Sequence, residues 1–377
     1  MDTSVIAMDV NTAANQVYKI NFGRNQNPRV RLQSRNICSL SVDELSRMQL
    51  DLLTASPPCQ PFTRQGKQLD DQDARSDSFL HVIENVLHFL PNPPPAILVE
   101  NVKGFERSRT RSLLVQTLRH RNYEIAEFLL QPNQFGVPNS RLRYFCLARQ
   151  GYSGFCFDLQ TIAHDIDVGG YLEQQHTLNE YPKYLSAKTC PSCVQQLFGS
   201  SAKRTLEGSW SIARDSLRSL NDYVTTLSTK QERKYLIPDV ILLRYHAVFD
   251  IVDEQSQQSC CFTKNYGRNI KGAGSFLKAN QNCSTQEVYE QVKRIKRLPV
   301  DVKSEKEKDE EILSNLKKLR LRYFTADEVA RLMHFTNKLT FPTHFSDNQK
   351  YRLLGNSINV KVVGWLMRLL FCNQIDQ

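Results

Sequence analysis

The feature that most constrains this chain is an alternation of short apolar segments with helical ones over residues 4–150, in which strand after strand ends on a polar group. Strands are read at 4–8, 51–55, 96–99, 125–130 and 142–148, and helices at 12–18, 77–90 and 108–119. The helix at 77–90 has the clearest period, because Phe79, Val82, Ile83, Val86 and Leu90 recur at helical spacing. Short apolar strands interleaved with helices predict an α/β fold whose mostly parallel sheet is covered on both faces. Ligands of such sheets bind beyond the carboxyl ends of the strands.

Three polar stations fall at those ends: Asp9, the run Ser56-Pro57-Pro58-Cys59-Gln60-Pro61-Phe62, and Glu100-Asn101-Val102. The topology therefore brings them toward one cleft. A cysteine taken alone is usually a small buried hydrophobe. Cys59 differs, because prolines on both sides of its loop restrict the backbone, fix the direction of Sγ and stop any helix or strand. Glu100, set across a cleft from a thiol, has the chemistry to protonate a ring nitrogen while sulfur adds to an electron-poor ring. Arg141 and Arg143 alternate in what reads as a strand, so they are expected to share a face and to hold a phosphate or orient Glu100.

Charge narrows the partner. The chain has 49 Lys+Arg against 39 Asp+Glu, a formal charge of +10, which favours an anionic partner. Residues 101–150 alone hold nine basic side chains (Lys103, Arg107, Arg109, Arg111, Arg119, Arg121, Arg141, Arg143, Arg149) against Glu106, Glu124 and Glu127. This block reads either as a solvated surface or as a track for phosphates. The apolar runs stop far short of the ~20 residues of a membrane helix, so no membrane partner is expected. The opening Met1-Asp2-Thr3-Ser4 lacks the basic start and apolar stretch of a secretory signal, so the ten cysteines are expected as thiols in a reducing compartment.

Beyond residue 151 the alternation is lost. The stretch to about 235 is polar and irregular and reads as an insert on the substrate side. Strand-like segments resume at 240–243 and 258–263, where the adjacent Cys260 and Cys261 are expected to face opposite sides. The charged run 303–311 reads as the start of a solvated helix. Val362, Val363, Leu366 and Leu370 predict a terminal helix packed on a core. Cys190-Pro191-Ser192-Cys193 has the spacing of half a zinc site without a second half, so no metal is expected.

At these residues the sequence resembles the cytosine-C5 methyltransferases. The matching stretches are Pro57-Pro58-Cys59-Gln60, Glu100-Asn101-Val102, Gln134 through Arg141-Leu142-Arg143, Arg331-Leu332-Met333 and Gly355-Asn356-Ser357. Pro61-Phe62-Thr63-Arg64, Val102-Lys103-Gly104-Phe105-Glu106, Cys261-Phe262-Thr263-Lys264 and Tyr351-Arg352-Leu353-Leu354 resemble, more narrowly, the DNA methyltransferase homologue branch that methylates aspartate tRNA. The resemblance implies a Rossmann-like, S-adenosylmethionine-dependent methyltransferase fold, with a catalytic domain at 1–155 and 345–377 and a smaller target-recognition domain inserted at 156–344. It implies Cys59 as nucleophile at cytosine C6, Glu100 at N3, and Arg141 and Arg143 in the catalytic set. Asp9 is then expected at the ribose of S-adenosylmethionine and Asn36-Ile37 near its adenine, with Pro58, Asn356 and Ser357 completing the cofactor set. The implied partner is the anticodon loop of a tRNA, where an unpaired base leaves its stack at least cost. DNA is a weak secondary partner, and the implied compartments are cytoplasm and nucleus.

Family members open with a strand and an aromatic-Ser-Gly-x-Gly-Gly loop, and this sequence shows no counterpart before Asp9. The expectation is a sheet lacking a central strand, with reduced cofactor affinity. Two rival readings follow: a DNA cytosine-5 methyltransferase sharing Cys59 and Glu100, and a tRNA-binding homologue without turnover.

Overall fold

A computed structural model describes residues 4–23, 25–62, 70–151, 155, 202–204, 210–212, 217–299 and 301–371. The chain divides into two compact units, one of 1–135, 142–216 and 361–377, the other of 136–141 and 217–360. The segment 345–360, expected in the catalytic domain, packs within the second unit.

The first unit opens with β1 (Val5–Met8), which leads into α1 (Thr12–Phe22). Asn11 caps this helix by accepting from the Ala13 and Ala14 N–H groups. β2 (Val30–Gln33) runs parallel to β1, from Val5 opposite Val30 to Met8 opposite Gln33. Then follow α2 (Val42–Met48), β3 (Leu52–Ala55), α3 (Asp77–Leu80), β4 (Ala96–Val102), α4 (Arg109–His120), β5 (Glu124–Leu130) and β6 (Arg143–Arg149). The helix expected at 77–90 is α only to Leu80 and widens into a π-helix over His81–Leu87. β7 (Ala202–Arg204) and β8 (Trp210–Ile212) form an antiparallel pair.

The sheet corrects the expectation of mostly parallel strands. Its order is β3-β4-β6-β5, with β3 and β4 parallel but β6 antiparallel to both neighbours. Leu130 pairs with Arg143, so β5 and β6 return on each other as a hairpin does. A parallel pair would require a crossover helix, and residues 131–142 hold only the short 3₁₀ turn Pro132–Phe135. Among the described residues β1 pairs only with β2, and β3 only with β4, so the parallel strands stand in two separate sheets.

In the second unit come α5 (Thr229–Tyr235), α6 (Asp239–Tyr245), β9 (Ile251–Val252), β10 (Phe276–Lys278), α7 (Thr285–Arg297), α8 (Glu305–Lys317), β11 (Leu321–Arg322), α9 (Ala326–Leu332) and α10 (Asp347–Asn356). The terminal helix α11 (Val360–Leu370) follows and, from residue 361, belongs to the first unit. Residues 240–243, expected as a strand, are helical in α6, where Leu242 is buried and Val240 exposed. A run of four apolar residues fits either period, and Pro238 starts the helix. The expected strand at 258–263 is a loop held by side chains instead of a ladder: Asn139 Nδ2 donates to Ser259 Oγ, and the Cys260 N–H donates to Ser275 Oγ. Cys260 and Cys261 therefore do not alternate on a strand. The charged run begins α8, where Ser304 and Glu307 form a reciprocal cap.

Packing follows strand alternation. Leu98, Phe128, Phe145 and Leu147 meet Val362, Trp365, Leu366 and Leu369 of α11 on one face. On the opposite face Ile97, Val99, Tyr144 and Cys146 meet Phe79, Val82, Ile83, Leu114 and Leu118. Both faces of β4 are thereby covered, which makes it the most enclosed place from which to present a charged group.

Candidate active site

β3 and β4 are parallel neighbours with Ala55 opposite Val99, so the Cys59 loop leaves β3 at the level where Glu100 stands on β4. Pro57 and Pro58 precede the half-buried Cys59, and the Phe62 N–H donates to the Cys59 carbonyl at 3.1 Å. Phe62 then packs edge-on against Phe105, with ring centres 4.9 Å apart. Gly104 has φ +112°, and a Cβ there would stand 2.7 Å from the Phe62 carbonyl oxygen. Only glycine allows this approach, which pins the loop after Cys59 against the segment after Glu100.

Glu100 is 7% exposed, and Arg143 Nε lies 3.4 Å from its Oε1. Glu100 pairs with Phe145 in the β4–β6 ladder, so Arg143 two residues away is its diagonal neighbour on the same face. Arg141 corrects the sequence reading. It precedes β6, belongs to the second unit and does not alternate with Arg143. Its buried guanidinium donates to the carbonyls of Gly355 (3.1 Å), Phe262 (3.4 Å) and Ser357. These bonds give it a framework role, holding the end of α10 to the 261–264 loop.

The basic block is also smaller than its count. Arg111 is bound to Glu127, Arg149 is buried under Phe155 and beside Glu124, and Arg121 donates to the Leu90 carbonyl. Arg107, Arg109 and Arg119 remain exposed. Sequence reasoning missed Arg75, which donates from Nε and a terminal nitrogen to buried Asp73 at 2.8 and 2.6 Å. Bonding to Asp73, and to a lesser degree the charge of Cys59, raise the Arg75 guanidinium above its ordinary value. The signal available was the pair Asp73-Ala74-Arg75 shortly after the cysteine loop.

The residues expected around a cofactor fall in both units. In the first, Asp9 and Asn36-Ile37 follow the adjacent strands β1 and β2, and the Asp9 N–H donates to the Gln33 carbonyl at 3.3 Å. Asp9 Oδ1 accepts from the Asn11 N–H, and the exposed carboxylate suits a ribose diol. Asn36 caps the turn Ile37–Ser39, leaving Ile37 half-buried as an apolar surface for a purine. This donor set fits S-adenosylmethionine. In the second unit, Asn356 ends α10 and Ser357 is its cap. Gly355 beside them has no room for a side chain, since a Cβ would lie 2.1 Å from the Lys264 nitrogen.

Among the described residues no group of three or more His, Cys, Asp or Glu side chains could hold a metal, and no helix is long and apolar enough to cross a membrane. The six described cysteines are free thiols; Cys190 and Cys193 lie outside the described residues.

A thiol loop and a buried carboxylate on neighbouring strand ends, in a Rossmann-like α/β unit, define an S-adenosylmethionine-dependent methyltransferase of the cytosine-C5 type. Comparison with known proteins agrees: residues 2–371 match the C-5 cytosine-specific DNA methylase family, and the chain belongs to it. A tRNA (cytosine(38)-C(5))-methyltransferase of Bos taurus is 37% identical over 380 residues, covering 97% of this chain and 92% of the relative. A Dictyostelium discoideum protein named DNA (cytosine-5)-methyltransferase is 35% identical, covering 98% and 88%. The crystal structure of the S. pombe Dnmt2 methyltransferase superposes with a TM-score of 0.69 at 32% identity, covering 98% of this chain and 90% of that one.

Proposed function

We propose that this protein transfers a methyl group to C5 of a cytosine in the anticodon loop of a tRNA, with aspartate tRNA favoured, in the cytoplasm and nucleus. The observation that carries the reading is the buried Glu100–Arg143 pair standing one strand away from the Cys59 loop. The Cys59 thiolate adds to C6 while Glu100 bonds to N3, and the electron density displaced into the ring makes C5 a nucleophile. Arg143 keeps Glu100 aimed at the ring edge. S-adenosylmethionine, held in the first unit by Asp9, Asn36, Ile37 and Pro58, supplies the methyl group that C5 takes. Loss of the C5 proton then expels the Cys59 sulfur and restores the aromatic ring.

The base must leave its stack to meet two groups on buried strand ends, and an unpaired loop yields it most easily. Exposed Arg107 and Arg119 favour a polyanionic substrate. The names borne by the Bos taurus and S. pombe relatives support tRNA; the name of the Dictyostelium relative supports duplex DNA as the second reading. Incubation with labelled S-adenosylmethionine and either tRNA or duplex DNA separates them. Label in tRNA at a single cytosine is expected. Label in DNA alone contradicts the proposal, and binding of tRNA without transfer indicates a homologue that does not turn over.

A further inference from the structure

The segment that follows the Cys59 loop ends in an unusual residue. Asp70 has φ +52°, a left-handed conformation that residues other than glycine rarely adopt. Its carboxylate reaches across to the amino end of α4. Oδ2 accepts from the Arg109 N–H at 2.5 Å, and Oδ1 accepts from the Thr110 hydroxyl at 2.8 Å and the Thr110 N–H at 3.3 Å. The next residue repeats the attachment, with Asp71 3.4 Å from Arg109 Nε.

Helix α4 already has its own cap in Ser108, which accepts from the Arg111 N–H. Asp70 is therefore surplus to the ordinary requirement of that helix end, yet the chain holds an unfavourable backbone angle to place it there. The turn behind it is fastened as well: Ser76 Oγ donates to the Asp70 carbonyl at 2.6 Å, and the Asp73 N–H donates to the same carbonyl at 3.3 Å. Asp73 in turn grips Arg75.

These bonds bracket the nucleophile loop. At its near end Phe62 sits on Phe105 and Gly104, and at its far end Asp70 sits on Arg109 and Thr110. Both anchors fall on the short stretch that continues directly from Glu100 on β4. One rigid segment thus holds both ends of the Cys59 loop and also begins at the acid. We propose that Asp70 is a positioning residue for Cys59, a latch between the nucleophile loop and the amino end of α4 that sets the sulfur in register with Glu100. The inference rests on Cys59 being the nucleophile. Its chemistry is a carboxylate meeting backbone N–H groups at the positive end of a helix dipole.

Three variants separate the latch from the backbone angle. Asp70→Gly adopts φ +52° freely and deletes only the carboxylate; Asp70→Asn tolerates the angle and keeps one acceptor oxygen; Asp70→Ala loses both. Two readouts are taken on the full chain: methyl transfer to tRNA, and alkylation of Cys59 by iodoacetamide followed peptide by peptide. The expected result for Asp70→Gly is a kcat lower by about tenfold or more with KM changed little, because misplacement affects the reacting geometry more than tRNA binding. Its half-buried Cys59 should be alkylated several-fold faster than in the wild type, with the rate at Cys283 unchanged. Asp70→Asn should recover most of both effects. Alkylation of Cys59 at the wild-type rate in Asp70→Gly overturns the latch. If the wild type transfers no methyl group, the functional reading fails, while the alkylation rates still decide whether Asp70 holds the loop.

Discussion

Arg143 Nε stands 3.4 Å from Glu100 Oε1 across the β4–β6 ladder, with both side chains largely buried. Removing either partner leaves a charge in a place that water scarcely reaches. Arg143 also donates to the Leu142 carbonyl at 2.8 Å, so its plane is set from two sides.

Glu100→Gln keeps the shape of the side chain but loses the charge and the acid. Methyl transfer is expected to fall by about 10²-fold or more, with tRNA affinity nearly unchanged. Arg143→Lys is expected to lose much of the rate as well, because an ammonium cannot reproduce the planar guanidinium contact. Steady-state kcat and KM with tRNA check both, and a wild-type rate in Glu100→Gln would make the carboxylate structural only.

Gly104→Ala places a methyl group 2.7 Å from the Phe62 carbonyl at a φ of +112°. The expected cost is about 1–3 kcal/mol of stability. Because the collision is with the loop that carries Cys59, methyl transfer should fall further than stability alone explains. Denaturant midpoints measured beside initial rates test the pairing of the two effects.

In the second unit Arg322 and Glu328 form a two-point pair at 2.9 and 2.8 Å, both fully buried, and Glu328 also accepts from the Thr225 and Thr325 N–H groups. Glu328→Ala strands a buried guanidinium and two backbone donors. Destabilisation of about 3–5 kcal/mol is expected in chemical denaturation, and a loss below 1 kcal/mol would contradict the account.

His246 is buried, with its Nε2 2.9 Å from Lys296 Nζ, and burial followed by the Lys296 charge holds its pKa below the ordinary value of 6.5. The unfolded chain therefore takes up this proton first as pH falls. Stability is unaffected by His246 above the unfolded pKa and declines below it. His246→Gln should flatten the fall in Tm on acidification below pH 6.5, and an identical slope in both proteins would show that His246 does not contribute.

The sequence made the ends of β3 and β4 readable because a short apolar strand followed by a polar group has few alternatives in an alternating fold. Arg143 was visible through alternation, but the same rule misplaced Arg141, whose partners Gly355 and Ser357 lie more than 200 residues away in the chain. The apolar run at 240–243 carried no period that distinguishes strand from helix. Asp70 was invisible for a different reason, since its function depends on Arg109 and Thr110, about 40 residues distant. The antiparallel entry of β6 likewise depends on a hairpin that no local propensity marks.

The central claim, that Cys59 attacks cytosine in tRNA, is tested most directly with a tRNA carrying 5-fluorocytosine in its anticodon loop. Fluorine at C5 cannot leave as a proton, so the sulfur cannot be expelled after methyl transfer, and the complex stays covalent. Proteolysis and mass spectrometry of the trapped complex should place the nucleotide on the peptide containing Cys59 and on no other cysteine, and Cys59→Ala should form no adduct while still binding tRNA. An adduct on a different cysteine, or methyl transfer by Cys59→Ala near the wild-type rate, would contradict the account.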